Sequence, residues 1–230
     1  MLFLFFDPTI LWILPGILLA LMAQGYVTSQ FAKYSRVMTA SGISAKDAAL
    51  GILQDAGLSH VKVEPTPGHL SDHYDPRQKV LRLSEGVYSS PSVAALGIAA
   101  HEAGHAIQHG KGYVFLKLRN SIYPVVRLCS SMAIPLLLVS FLLQAVSLTH
   151  LALWMYGFAI LFQLITLPVE FDASRRAVRI LSDKGYLTAS ETTQAKAVLR
   201  AAALTYVSGF VLSLLQLVRL MVLFGGRRRR

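Results

Sequence analysis

Two long stretches without a charged side chain constrain this chain more than anything else in it. After Asp7 the next charge is Lys33, so Pro8 to Ala32 is uncharged throughout, and the 42 residues from Leu128 to Val169 carry no charge either. A helix rises about 1.5 Å per residue and the hydrocarbon layer is about 30 Å thick, so a run of that length makes two passes. Ser147-Leu148-Thr149-His150 is the expected tip between them. A further uncharged run, Ala201 to Val218, is followed by Arg219, whose long side chain can reach an interface. Four spans are therefore expected, at 8–28, 124–146, 151–169 and 201–224. The composition agrees: 54% of the residues are hydrophobic and 15% charged, against about 25% charged in soluble domains, which excludes an ordinary soluble protein. The first run has no basic segment before it and no clear small-residue cleavage site after it, so it reads as a retained anchor.

The net charge of +10 has two possible origins. Lys33, Arg36, Lys111, Lys117, Arg119, Arg175, Arg176, Arg179, Lys196 and Arg200 cluster near span ends, as the positive-inside bias produces. No basic stripe interleaved with aromatics is present, so a nucleic-acid partner is not expected. No Lys or Arg precedes the first span or lies in 147–150, which puts the segments around the polar region on the cytoplasmic side. The basic tail, 225–230 with Arg227 to Arg230, points the other way: either the last segment is re-entrant around Ser208-Gly209 or the other cations outweigh the tail, and the second reading is preferred. Cys129 is the one cysteine, so no intramolecular disulfide can form.

Between the first two spans, residues 29–120 have the pattern of a small globular domain. Ser44-Ala45-Lys46-Asp47 begins a run, Ala48 to Ala56, with apolar residues at helical spacing, and Gly57 is placed to end it. Val61-Lys62-Val63 and Lys79 to Ser84 alternate as strands, with a turn at Asp75-Pro76-Arg77-Gln78. The second strand could take an extended peptide along its edge. Ser92 is placed to cap an Ala-rich helix reaching about His109, stopped by Gly110 and Gly112. After the double span, 170–200 reads as helical, interrupted by Gly185.

The Ala-rich helix contains His101-Glu102-Ala103-Gly104-His105, the pattern H-E-x-x-H. At i and i+4 two imidazoles share one helical face and can grip one zinc ion, and the adjacent Glu102 can take a proton from a water. The bland alternative is a chance pairing of two histidines with a surface Glu. A third ligand must come from the same side of the membrane. Two passes return the chain to the side it left, which places Glu170 to complete a His, His, Glu set; otherwise Glu170 would pair with Arg175 or Arg176. His109, at i+8 from His101, lies about 12 Å further along the helix, too far to share the ion, and suits the helix C-terminus as a cation. The cluster Asp72-His73-Tyr74-Asp75-Pro76 either donates to a developing oxyanion, through His73 or Tyr74, or only shapes a turn.

The strings SDHYDP, LRLSEGVYSSPSVAALGIAAHEAGHAIQH, LPVEFDASRRA and AAALTYV together resemble the YugP family of membrane zinc metallopeptidases. The likeness runs from about Asp72 to Tyr206. It implies a mainly α, polytopic membrane protein with about four transmembrane helices and a small α+β zincin-like catalytic domain at the membrane surface. It also implies a Zn2+-dependent endopeptidase of a bacterial plasma membrane, acting on protein or peptide substrates, with His101 and His105 as ligands and Glu102 as catalytic acid and base. The plan is similar to the HtpX-type proteases, which implies Glu170 as third ligand; Tyr206 in AAALTYV joins His73 and Tyr74 as a possible substrate contact. One departure stands out. Gluzincin sites often carry an Asp four residues after the Glu ligand, where this chain has Ser174, with Asp172 earlier. Asp172 cannot share a helical face with Glu170 at i+2, so another residue is expected to orient a histidine unless the helix begins after it. Two other classes compete with a protease: a divalent-metal transporter and a membrane scaffold that uses zinc only to fold.

Overall fold

A computed structural model describes residues 7–225, so the expectation for the tail at 225–230 falls almost wholly outside the described residues. The chain is mainly helical. A short 3-10 helix, Pro8–Trp12, precedes α1 (Leu14–Tyr34) and α2 (Ala45–Asp55). Strands β1 (Lys62–Thr66), β2 (His73–Asp75) and β3 (Val80–Ser84) follow, then α3 (Glu85–Tyr88), α4 (Val93–Gly110), α5 (Val114–Leu142), α6 (Val146–Asp183) and α7 (Ala189–Gly225). The residues fall into two compact units.

One unit comprises the residues up to Gln24, Leu118–Leu167 and the residues from Thr205. Among the described residues three helices, α5, α6 and α7, are long and apolar enough to cross a membrane. Leu128, Leu138, Trp154, Leu161 and Met221 stand exposed on them, an apolar surface suited to lipid. Helix α1 has a polar second half with Gln24, Thr28, Ser29 and Gln30, although Leu14, Leu18, Leu21 and Met22 are exposed along its first half. A Cβ on Gly16 would meet the Leu212 backbone and the Leu215 side chain, each at 3.0 Å, so α1 packs closely against α7 there. Arg219 is buried and its Nε donates to Thr9 Oγ1 at 3.2 Å. It therefore has a protein acceptor, where an interfacial position had been the expected way to satisfy it.

The turn after α5 lies earlier than expected. Gln144 adopts φ 52° and Ala145 N donates to Ser140 O at 3.0 Å, closing the helix with a left-handed residue. Ser147 to His150 already belong to α6, where Thr149 Oγ1 donates to Ser140 Oγ at 3.0 Å.

The second unit comprises Gly25–Lys117 and Pro168–Leu204. Helix α4 is its centre because its small residues leave few side chains to keep neighbours away. Ala95, Ala99, Ala100, Ala103 and Ala106 are buried together with Ile52 and Leu53 of α2, Leu81 and Leu83 of β3, Leu181 of α6 and Leu199 of α7. The cap expected at Ser92 is present, accepting from Ala95 N, and Ser44 caps α2 in the same way by accepting from Asp47 N; Gly57 and Gly185 take the left-handed conformation that ends their helices. The charge change at Glu170 does not end a helix, since α6 runs on to Asp183.

The sheet has the order β1-β3-β2, with β1 parallel and β2 antiparallel to β3. The strand expected to offer a peptide-binding edge is therefore the central one, paired on both sides, and only β1 and β2 have open edges. β2 forms where a polar cluster was expected, because Asp72 Oδ1 accepts from Ser84 N at 2.7 Å and so fixes the chain beside the end of β3. Asp75 closes the following turn by accepting from the N–H groups of Arg77 and Gln78.

Glu191 ties the start of α7 to the far end of the chain. Its Oε2 accepts from Thr188 N at 2.8 Å while Thr188 Oγ1 accepts from Glu191 N, a capping box, and its Oε1 accepts from Ala40 N at 2.7 Å. Glu191→Ala leaves two backbone donors without this acceptor and should cost about 1–3 kcal/mol. Chemical denaturation in detergent checks this, and an unchanged midpoint would contradict it.

Candidate metal centre

Helix α4 presents His101 and His105 on one face, four residues apart, with ring centroids 4.7 Å apart and edge to face. Helix α6 brings in Glu170, whose Oε2 lies 3.3 Å from His101 Nε2 and 3.5 Å from His105 Nε2. The three donor atoms lie within 4.8 Å of one another, and Glu170 is 3% exposed. The approach depends on Gly104. A Cβ there would stand 2.9 Å from Ala173 O of α6, closer than real contacts allow. Because a backbone faces it, neither helix could yield by turning a side chain.

Two imidazole nitrogens and a buried carboxylate oxygen form a donor set of three protein ligands suited to zinc. Burial opposes a charge on His105, but Glu170, Glu102 and Gln108 beside it together outweigh burial and hold its pKa above the ordinary value. The carboxylate thus draws positive charge to the atom that would bind a cation. Glu102, next to His101, is buried in the same helix.

Behind the ligand atoms, each ring has its own support. His101 Nδ1 is 3.1 Å from Ser174 Oγ, so the serine at the position where an Asp is common contacts this histidine. His105 Nδ1 is 3.0 Å from Gln108 Oε1. Asp172 touches Gln108 and Arg176, at 2.9 and 2.6 Å, and stands one residue behind the histidine. Gln108 was not singled out from the sequence, although i+3 from His105 on a buried Ala-rich helix is a signal for it.

The remaining candidates lie elsewhere. Tyr74 OH is 2.9 Å from His109 Nδ1, and burial together with Asp75 raises the pKa of that phenol. His109 occupies the last turn of α4 as expected but is paired with Tyr74 there. His73 is exposed, with its Nδ1 2.8 Å from Ser71 O. Tyr206 belongs to the other unit and is 44% exposed.

Residues 9–225 match the family described as "Putative neutral zinc metallopeptidase". The chain belongs to this family. It is also 45% identical, over 206 residues covering 90% of this chain and 92% of the relative, to the "Putative membrane protease YugP" of Bacillus subtilis (strain 168). No solved structure matches. The family name implies zinc, and the His101, His105 and Glu170 group is where the described residues can hold it.

Gly104→Ala should push α4 from α6 and lower the zinc content of purified protein, although residue 104 supplies no ligand. Gly97→Ala is the control in the same helix, because its Cβ would meet Ala195 Cβ at an ordinary 3.6 Å. Elemental analysis showing equal zinc in both variants would contradict this account of the crossing.

Proposed function

We propose that the protein is a membrane-embedded, zinc-dependent endopeptidase that cleaves membrane or membrane-proximal proteins. The convergence of His101, His105 and Glu170 from α4 and α6 is the single observation that supports this most. One Zn2+ per chain, held by these three, would supply a Lewis acid that acidifies water and polarises a carbonyl. Glu102 takes the proton from the attacking water and delivers it to the leaving amine. Gluzincins use this division of labour, and the zincin-like character of the second unit is part of the proposal. His73, exposed at the edge strand β2, is placed in the proposal as a substrate contact; Tyr74 and Tyr206 are weaker candidates, Tyr74 because its hydroxyl already engages His109.

Helix α1 is proposed as a fourth span beside the three long apolar helices. The support is its sequence, uncharged up to Lys33, its exposed leucines and its close contact with α7 at Gly16. The site is assigned to the cytoplasmic face of a bacterial plasma membrane on the distribution of Lys and Arg.

Glu102→Gln should retain zinc and lower cleavage of casein or a mixed peptide pool by about 10²–10⁴-fold, while Glu170→Ala should lose zinc as well. Cleavage by Glu102→Gln equal to the parent would turn the reading to a zinc-binding scaffold, and metal flux in proteoliposomes would turn it to a transporter.

A further inference from the structure

We infer that Gln108 is the positioning residue of the metal centre: its amide, locked by Asp172 and the Val169 carbonyl, holds His105 with a proton on Nδ1 and its Nε2 lone pair directed to the metal. The inference rests on the zinc reading above.

Gln108 is fully buried. Its Nε2 donates to Val169 O at 2.8 Å and to Asp172 Oδ2 at 2.9 Å. A carbonyl only accepts, and Asp172 Oδ2 accepts from Arg176 Nε as well, so both amide hydrogens are used. The reversed amide would set its oxygen against two acceptors at those distances, with no proton between them. Its orientation is therefore determined by its partners, and Oε1 must face His105 Nδ1 at 3.0 Å. An amide oxygen cannot donate. A hydrogen therefore sits on Nδ1, and in the neutral ring Nε2 is the bare nitrogen, the atom 3.5 Å from Glu170 Oε2.

Arg176 Nε donates to the same Asp172 Oδ2 at 2.6 Å, so that oxygen faces two N–H donors and is held in place as an acceptor. The order Arg176, Asp172, Gln108, His105 is thus a chain of four groups across α6 and α4, in which each member has only one way to face the next. His101 is held differently. Ser174 Oγ, 3.1 Å from its Nδ1, can donate or accept, so it steadies the ring without choosing the tautomer. The two ligands therefore depend on their supports to different degrees.

The test measures zinc affinity by chelator competition, and the visible spectrum of the Co2+-loaded protein, for the full chain in detergent. Gln108→Met, similar in length but without the amide, should weaken zinc binding by about 10–100-fold and change the cobalt bands. Asp172→Ala, at a part-exposed residue that touches neither histidine, should weaken it by about tenfold, and adding it to Gln108→Met should cause no further loss. Ser174→Ala should weaken binding less than Gln108→Met, and its effect should add to that of Gln108→Met. Parent-like affinity and cobalt bands in Gln108→Met would overturn the inference while leaving the zinc site intact. Should Gln108→Met not fold, parent-like affinity in Asp172→Ala would overturn it alone. A parent protein that binds no zinc would overturn both this inference and the reading beneath it.

Discussion

The contact between α4 and α6 at Gly104 and Ala173 is the feature on which the centre depends. Ligands supplied by two helices can meet only if the helices approach to nearly backbone distance, and Gly104 is the residue that permits it. The surrounding alanines serve the same end, since Ala99, Ala100, Ala103 and Ala106 are buried without holding the neighbouring elements away. Once the helices are that close, a carboxylate from α6 reaches two imidazoles of α4, and the polar groups one layer out have to be paired as well. Gln108, Asp172 and Ser174 meet that demand, because a buried polar group without a partner is costly.

Long helices connect this chemistry to the apolar part of the chain. Glu170 follows the uncharged stretch within the same helix, two residues after Pro168, and the boundary between the two compact units falls at Pro168. Helix α7 likewise begins with the Glu191 capping box and continues into an apolar stretch. The second unit is therefore assembled from separated pieces of sequence, with α2, the sheet and α4 from one side of the double apolar run and the ends of α6 and α7 from the other. The three long apolar helices and the similarity to a membrane protease point to the bilayer as the place where this assembly works.

The parts legible in the sequence are those with a local physical cause. Ser92 caps, Gly57 and Gly185 terminate, and β1 and β3 alternate, because each depends on a few neighbouring residues. The pairing of Glu170 with His101 and His105 was legible for a topological reason, since two passes return the chain to its starting side. What could not be read depends on distant partners. β2 is three polar-flanked residues held by Asp72 bonding Ser84, a contact across 12 positions. The turn at Gln144 has neither Gly nor Pro to mark it. The support of the histidines was expected to involve something other than Asp172 directly, but Gln108 emerges only when Val169 and Asp172 are seen around its amide.

The most direct test of the account is X-ray absorption at the zinc edge on the purified full-length protein. It predicts about one zinc per chain in a shell of nitrogen and oxygen only, with the multiple-scattering signature of two imidazoles, reduced to the background level of metal in Glu170→Ala. A shell containing sulfur, a shell without imidazole, or a protein that holds no zinc would contradict it.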